Sequence, residues 1–136
     1  MKKIISLNEI VRKINAVRFK KYDLIVAIGT DGIMPARLIQ KKLKIPIEII
    51  KIKYRNKANK PIYRSPKLIS QKAKFKGKKI LLVDLVSRTG KTLEKAKRVL
   101  KGNAIQTFVI NGQADNSLYN LPYCIKVGSA VGSCRN

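Results

Sequence analysis

Two short, unbroken apolar runs constrain this chain most: Leu24-Ile25-Val26-Ala27-Ile28 and Ile80-Leu81-Leu82-Val83. Each passes directly into a polar, glycine-bearing turn and then into a segment with helical apolar spacing. A strand with one wet face alternates, whereas a strand apolar at every position is covered on both faces. Each run therefore reads as a central strand of a mainly parallel sheet with helices on both faces. After the first run, Gly29 to Gly32 makes a break. Ile33, Ala36, Leu38, Ile39 and Leu43 then recur at helical intervals with Pro35 near the first turn, and Ile47 to Ile52 resumes strand character beyond Pro46. A strand, turn, helix and strand in that order usually form a right-handed crossover between parallel strands. Order resumes at Gly77. Lys79 to Val83 is expected as strand, Asp84 to Gly90 as a polar turn, Thr92 to Leu100 as helix and Ala104 to Ile110 as strand. Ser6-x-x-Glu9 is a capping-box pattern followed by Ile10, Val11, Ile14 and Val17, which predicts a first helix over about residues 7–18. Pro122 to Val127 is expected as a last strand, and GSAVGSCRN shows no assignable structure.

With 136 residues, 45% of them hydrophobic, the chain is sized for one compact domain that buries roughly two thirds of its unfolded surface. Thirty-one Lys and Arg against seven Asp and Glu give a net charge of +24, spread along the chain with no separate basic tail. Such an excess suits a solvated lysine-rich surface, phosphate-bearing ligands or nucleic acid, with nucleic acid the least favoured of the three. There is no histidine, which removes the usual general base and metal ligand. Cys124 and Cys134 lack CxxC spacing, so neither a zinc site nor a disulfide scaffold is implied. No apolar run reaches about 18 residues, and the expectation is a soluble, cytoplasmic protein without membrane association. Residues 53–76 carry charges and two prolines with little periodicity. They read as a mobile loop centred on 54–75, either covering a ligand or serving as a solvated connector.

The segment KILLVDLVSRTGKTL concentrates the chemistry. A buried strand feeds a turn with Asp84, Ser87, Thr89, Gly90, Lys91 and Thr92 immediately before a helix. Unpaired amides at a helix start, a glycine that permits close approach and three hydroxyl donors together suit a phosphate. The same residues also serve an ordinary capped helix start. GxxxxGK[ST] is absent, which takes support from ATPase chemistry.

This segment resembles the phosphoribosyl-binding motif of the type I phosphoribosyltransferases, a hydrophobic strand, two acidic residues and a hydroxyl- and glycine-rich loop ending in T-G-x-T. VAIGTDGIMPARLIQKKLKIP, residues 26–46, is similar to the pyrophosphate-loop unit of the same family. From Ser6 to about Ile110 the layout resembles the small purine (xanthine, guanine, hypoxanthine) phosphoribosyltransferases. The resemblance implies a single domain over 1–136, a reaction in which 5-phosphoribosyl-1-pyrophosphate passes its phosphoribosyl group to a purine with release of pyrophosphate, a role in purine salvage, Mg²⁺ as cofactor and a homodimer or tetramer. It implies that Ser87, Arg88, Thr89, Gly90, Lys91 and Thr92 hold the 5-phosphate. Asp84 would meet the ribose hydroxyls and the metal, with Asp84 and Arg88 as the catalytic pair, and Thr30, Asp31, Gly32 and Arg37 would lie beside the pyrophosphate. Tyr54, Arg55 and Lys57 become candidates to close over phosphate.

Three positions depart from the family pattern. Leu85 stands where a second carboxylate is expected, Arg88 stands where many purine enzymes carry an acidic residue, and Asp31 precedes Gly32 where two glycines are common. A guanidinium cannot act as a base at neutral pH, and a carboxylate beside pyrophosphate needs a neutralising cation. Asn111 and Gln113 suit either a base edge or an ordinary N-G turn. The alternative is a non-catalytic or regulatory protein that binds phosphoribose or nucleotide, with nucleic acid as a further partner.

Overall fold

The computed structural model describes residues 2–53, 67–70, 75–122, 124–127 and 130–131. Along the chain these form β1 (Lys2–Ile5), α1 (Leu7–Ala16), β2 (Leu24–Ile28), α2 (Ile33–Leu43), β3 (Ile47–Lys53) and β4 (Lys67–Ser70). There follow β5 (Lys79–Ser87), α3 (Lys91–Val99), β6 (Ala104–Gly112), β7 (Asn116–Tyr119), β8 (Cys124–Val127) and β9 (Ala130–Val131). Six strands make the main sheet in the order β4-β3-β2-β5-β6-β7, parallel throughout except where β4 runs against β3. A second, three-stranded sheet, β1-β8-β9, joins the two ends of the described chain.

All five residues of β2 are buried, as an unbroken apolar run between β3 and β5 requires. Strand alternation then sorts the core into two layers. Ile25 and Ala27, with Leu81, Val83 and Leu85 of β5 and Phe108 and Ile110 of β6, pack against Ile10 and Ile14 of α1 and Ala36 and Ile39 of α2. Leu24, Val26, Ile28, Ile80, Leu82 and Val109 pack on the opposite face against Leu93, Ala96 and Leu100 of α3. Helices thus cover both faces, and the α/β class expected from the two apolar runs is the observed one.

α1 begins as its capping pattern predicts, with the Ser6 hydroxyl accepting the Glu9 amide at 3.1 Å. The Glu9 carboxylate accepts from the Tyr119 hydroxyl of β7, so one half of the capping box is spent on tying α1 to the sheet edge. Lys42 of α2 donates to the carbonyls of Ile14, Asn15 and Val17 at the other end of α1. A lysine on a neighbouring helix therefore gathers the last carbonyls of α1, of which that of Ile14 also accepts the Val17 amide at 3.1 Å.

The first helix ends at Ala16, two residues early, the last expected strand is shortened to Cys124–Val127, and Ala130–Val131 of the tail pairs with it as β9; two further differences bear on the site. Asp84 to Ser87 belongs to β5 and not to a turn, because β6 continues beside it: Asp84 pairs with Val109, Val86 with Asn111 and Ser87 with Gly112. The turn is confined to Arg88–Gly90. β6 likewise runs to Gly112, which places Asn111 inside a strand. Parallel β6 and β7 are joined by Gln113–Asp115 alone, although Asn116 pairs with Phe108. Returning four strand positions is about 13 Å, and four peptide steps reach at most about 13–14 Å, so this return is nearly straight. Thr107 and Asp115 fasten it. The Thr107 amide donates to the Asp115 carboxylate at 2.9 Å and the Asp115 amide to the Thr107 hydroxyl at 2.8 Å.

Of the loop expected over 54–75, residues 67–70 form the edge strand β4. Residues 54–66, with Tyr54, Arg55 and Lys57, and residues 71–74 lie outside the described residues, as does Tyr123. Among the described residues no helix is long and apolar enough to cross a membrane.

Candidate active site

β2 and β5 are neighbours, and each delivers a helix start at the C-terminal edge of the sheet. Parallel sheets bind ligands at that edge because every strand-to-helix turn presents its amides there. The two starts share a property that α1 lacks. Gly32 caps α2 and Gly90 caps α3, and neither cap residue has a side chain to accept an amide, whereas α1 has Ser6. The Ile33 amide donates to the Thr30 carbonyl at 3.3 Å and the Lys91 amide to the Thr89 hydroxyl at 3.4 Å; the other first-turn amides of α2 and α3 face the C-terminal edge of the sheet.

Close packing of backbone draws the two turns together. A Cβ on Gly32 would stand 2.7 Å from the carbonyl oxygens of both Ile28 and Val83, so only glycine lets the start of α2 rest on the end of β5. That contact sets Gly32 against Val83, the residue before Asp84. Thr30 is exposed, Asp31 half-buried and Gly32 buried. Arg37, in the second turn of α2, is exposed and lies farther from the turn than the other three.

On β5, Asp84 is half-buried and its Oδ1 accepts the Leu85 amide at 2.8 Å. Leu85 is 2% exposed in the layer under α1 and α2. Alternation points it away from Asp84's side of the sheet and into the core, where an ionised second carboxylate would have no partner. The departure at Leu85 thus has a packing cause. Ser87, the last residue of β5, is 6% exposed and its hydroxyl has no hydrogen-bond partner among the described residues. Buried hydroxyls are normally paired, and an orphan at the edge of a cradle marks a place for a ligand atom.

Arg88 and Thr89 are exposed in the bend that leads into α3, and exposed Lys91 and half-buried Thr92 open the helix itself. Gly90 has φ 78° with open space where a Cβ would stand, so its backbone conformation, and not crowding, calls for glycine. The Thr89 hydroxyl accepts the Lys91 amide at 3.4 Å, a long bond that ties the bend loosely.

Sequence reasoning missed the wall supplied by β6. Gly112, with φ 126°, would place a Cβ 2.0 Å from the Ser87 carbonyl oxygen, and Gln113 donates its amide to that same oxygen at 3.2 Å. Asn111 is 3% exposed; its Oδ1 accepts the Leu121 amide at 2.8 Å and its Nδ2 donates to the Leu121 carbonyl at 3.4 Å. The N-G pair is therefore no turn. Asn111 clamps the chain after β7, and Gly112 allows β6 to press on Ser87. A glycine at a strand end was the available signal, and it reads equally well as a turn.

The described residues contain no group of three or more His, Cys, Asp or Glu placed to hold a metal ion. At this edge the protein offers a carboxylate, hydroxyls, amides and cations, a set that suits a phosphorylated sugar.

A mainly parallel α/β sheet with two neighbouring glycine-capped helix starts at its C-terminal edge is a fold of the phosphoribosyltransferase type. The chain belongs to the phosphoribosyl transferase domain family, whose sequence profile matches residues 2–110. Among solved structures it is similar to the purine phosphoribosyltransferase from Pyrococcus horikoshii Ot3. The two are 26% identical with a TM-score of 0.78, covering 93% of this chain and 91% of that one. It is also similar to a hypothetical protein from Neisseria gonorrhoeae with bound ppGpp, at 26% identity and TM-score 0.64, covering 98% of this chain and 85% of that one. Helicobacter pylori xanthine-guanine-hypoxanthine phosphoribosyltransferase shares the fold at 16% identity and TM-score 0.66, covering 93% and 90%. Comparison with curated proteins finds no matching sequence.

Proposed function

We propose that this protein is a cytoplasmic purine phosphoribosyltransferase, passing the phosphoribosyl group of 5-phosphoribosyl-1-pyrophosphate to a purine nitrogen and releasing pyrophosphate. The observation that carries this reading is the buried Ser87 hydroxyl, without a hydrogen-bond partner among the described residues, at the end of the strand that leads into the Gly90-capped start of α3. Ser87, Thr89 and Thr92 would donate to the 5-phosphate with the first amides of α3, while Arg88 and Lys91 balance its charge. Asp84 would accept from the ribose hydroxyls and hold the sugar in one orientation. Thr30, Gly32 and the first amides of α2 would receive the pyrophosphate as the bond from its oxygen to the anomeric carbon breaks and the bond to the base nitrogen forms. These donors are worth most where the negative charge grows during that step. Arg88 is no base, so the proton released from the purine passes to water. Pairing in purine salvage and assembly into a homodimer or tetramer accompany this reading by family resemblance. Residues 54–75 are proposed as the cover that keeps water from the reactive carbon.

Asp84 is the residue that would hold Mg²⁺ here: the Leu85 amide takes one acceptor site of Oδ1, and a carboxylate has about four. Leu85 replaces the second carboxylate, so the protein would supply one acidic ligand. An ion carried in on the pyrophosphate oxygens of the substrate is compatible with this site, because it asks the protein for little.

The test is incubation of the purified protein with 5-phosphoribosyl-1-pyrophosphate, Mg²⁺ and each common nucleobase, with nucleotide and pyrophosphate measured. Turnover with a purine is expected. Asp84→Asn should abolish most of it while leaving the melting temperature within about 2 °C, because Asn keeps an oxygen for the Leu85 amide. No product with any base, despite saturable substrate binding, would transfer the site to a second reading. In that reading the protein binds a phosphorylated nucleotide as a regulator without turning it over. Leu85 and Arg88 favour it, as does the ppGpp bound to the Neisseria relative that covers 98% of this chain. Tight ppGpp binding that excludes 5-phosphoribosyl-1-pyrophosphate would support it.

A further inference from the structure

α3 differs from the other helices in what it turns to solvent. Leu93, Ala96 and Leu100 set one side against the sheet. At 100° per residue, the outward arc then carries Lys91, Lys95 and Arg98, with Glu94 as its acid, while exposed Lys97 stands on its flank and exposed Lys101 follows the helix. Placed the same way, α1 shows Arg12 among Asn8, Asn15 and Ala16 with Lys13 on its flank, and α2 shows Arg37 and Lys41 beside Met34 and Leu38, with Lys42 on the flank turned to the end of α1. Among the described helices α3 alone covers its face of the sheet.

The far end of this ridge is fastened. Gly77 donates its amide to the Gly102 carbonyl at 2.9 Å and Lys78 donates its amide to the Asn103 side chain at 3.0 Å. The Asn103 amide group donates to the carbonyls of Leu100 at 2.7 Å and Phe75 at 2.9 Å. Lys76 lies over Gly102, its Cγ 3.9 Å from where a Cβ would stand. Lys76, Lys78 and Lys101 are thereby held at one corner of the molecule.

We propose that the α3 ridge and this corner form a docking surface for the phosphodiester backbone of duplex nucleic acid. From Lys91 to Lys101 is about 15 Å, over which one strand of a duplex presents about four phosphates. The five cations of the ridge cover that length. Lys91 and Lys95, Lys95 and Arg98, and Lys97 and Lys101 are like charges three or four residues apart, a repulsion that a polyanion relieves. An acidic membrane asks for apolar anchors beside the charges, and the exposed large hydrophobics among the described residues are Ile4 of β1 and Leu7 at the start of α1. Single strands are gripped by aromatic stacking, and among the described residues this face exposes no aromatic ring. Lys91 is shared with the transferase reading, whereas Lys97, Arg98 and Lys101, the residues the test neutralises, begin about two turns beyond the Gly90 bend.

The experiment measures binding of the full chain to labelled DNA and RNA duplexes of about 20 base pairs between about 50 and 200 mM salt. Two neutralised variants are compared, K97Q/R98Q/K101Q on the ridge and R18Q/K20Q/K21Q among exposed residues of the α1–β2 connection. The ridge variant should bind at least tenfold more weakly near 0.1 M salt. It should also flatten the slope of log K against log salt by about 2.7, or 0.9 for each lost contact, and the control should change either quantity by less than a third as much. Acylation footprinting of the unmodified protein gives a second measurement, with duplex protecting Lys97 and Lys101 and leaving Lys20 and Lys21 reactive. Equal losses in the two variants, no duplex binding at the lowest salt, uniform footprinting, or equally tight binding of single strands or phosphatidylserine vesicles through the same lysines would each overturn the proposal. Both duplexes binding alike points to backbone chemistry alone; preference for one assigns the source.

Discussion

Removing the Ser87 hydroxyl should make the empty protein more stable and the liganded protein weaker, two effects of opposite sign from one atom. The residue is 6% exposed and its Oγ has no partner among the described residues. Leaving such a group buried costs about 1–3 kcal/mol, and Ser87→Ala erases that cost while keeping the Cβ that fills the site. A net gain of about 1 kcal/mol is expected, which raises Tm by roughly 3–5 °C in a domain of this size. With ligand the sign reverses, because a hydrogen bond to an ionised phosphate is worth about 1.5–3 kcal/mol. Kd for 5-phosphoribosyl-1-pyrophosphate should therefore rise by about 10- to 150-fold. Thermal melts with and without that ligand read both effects: the variant starts higher and gains less. If Ser87→Ala instead melts lower when empty and binds the ligand as tightly as the unmodified chain, the hydroxyl belongs to the fold and the ligand-binding role of Ser87 fails.

Replacing Leu85 with Asp, which would restore the family's acidic pair in sequence, should cost about 3–5 kcal/mol and give no gain in turnover, since position 85 is 2% exposed in the core; urea unfolding checks this. Gly112→Ala should also be severe, because its Cβ would stand 2.0 Å from the Ser87 carbonyl oxygen at a φ of 126°; melting and 5-phosphoribosyl-1-pyrophosphate binding should fall together, and a neutral result would refute the close packing of β6 on β5. Tyr119 has its pKa raised by burial first, then by the hydrogen bond to Glu9 and the charge of Glu9, with Arg12 opposing. The folded state therefore keeps a proton that the unfolded state loses above about pH 10. This stabilisation is whole below that pH and declines as pH rises toward the folded pKa. Glu9→Gln should narrow the window, and absorbance of tyrosinate during alkaline titration follows it.

The chain's central strands were legible because a run of apolar β-branched residues permits few other placements. Leu24–Ile28 emerged with the expected bounds, and α1, α2 and α3 began within a residue of their expected starts because Ser6, Gly32 and Gly90 mark helix starts. The missed strands lie at edges. β1 and β7 are each four residues long, and they exist because of partners more than a hundred or about ten positions away, Cys124–Val127 and Phe108–Asn111. Asp84 and Ser87 look like turn residues in sequence, yet β6 supplies the ladder that keeps them extended.

The residue types at the two bends were enough to point to phosphate and to the family, since hydroxyls and glycine before a helix have a chemistry that survives without coordinates. Which of those hydroxyls is buried, why position 85 must be apolar, and how Gly32 and Gly112 bring separate turns to one edge were decided by packing. Those are questions of distance between segments remote in sequence, and local pattern carries no information about how closely two backbones meet.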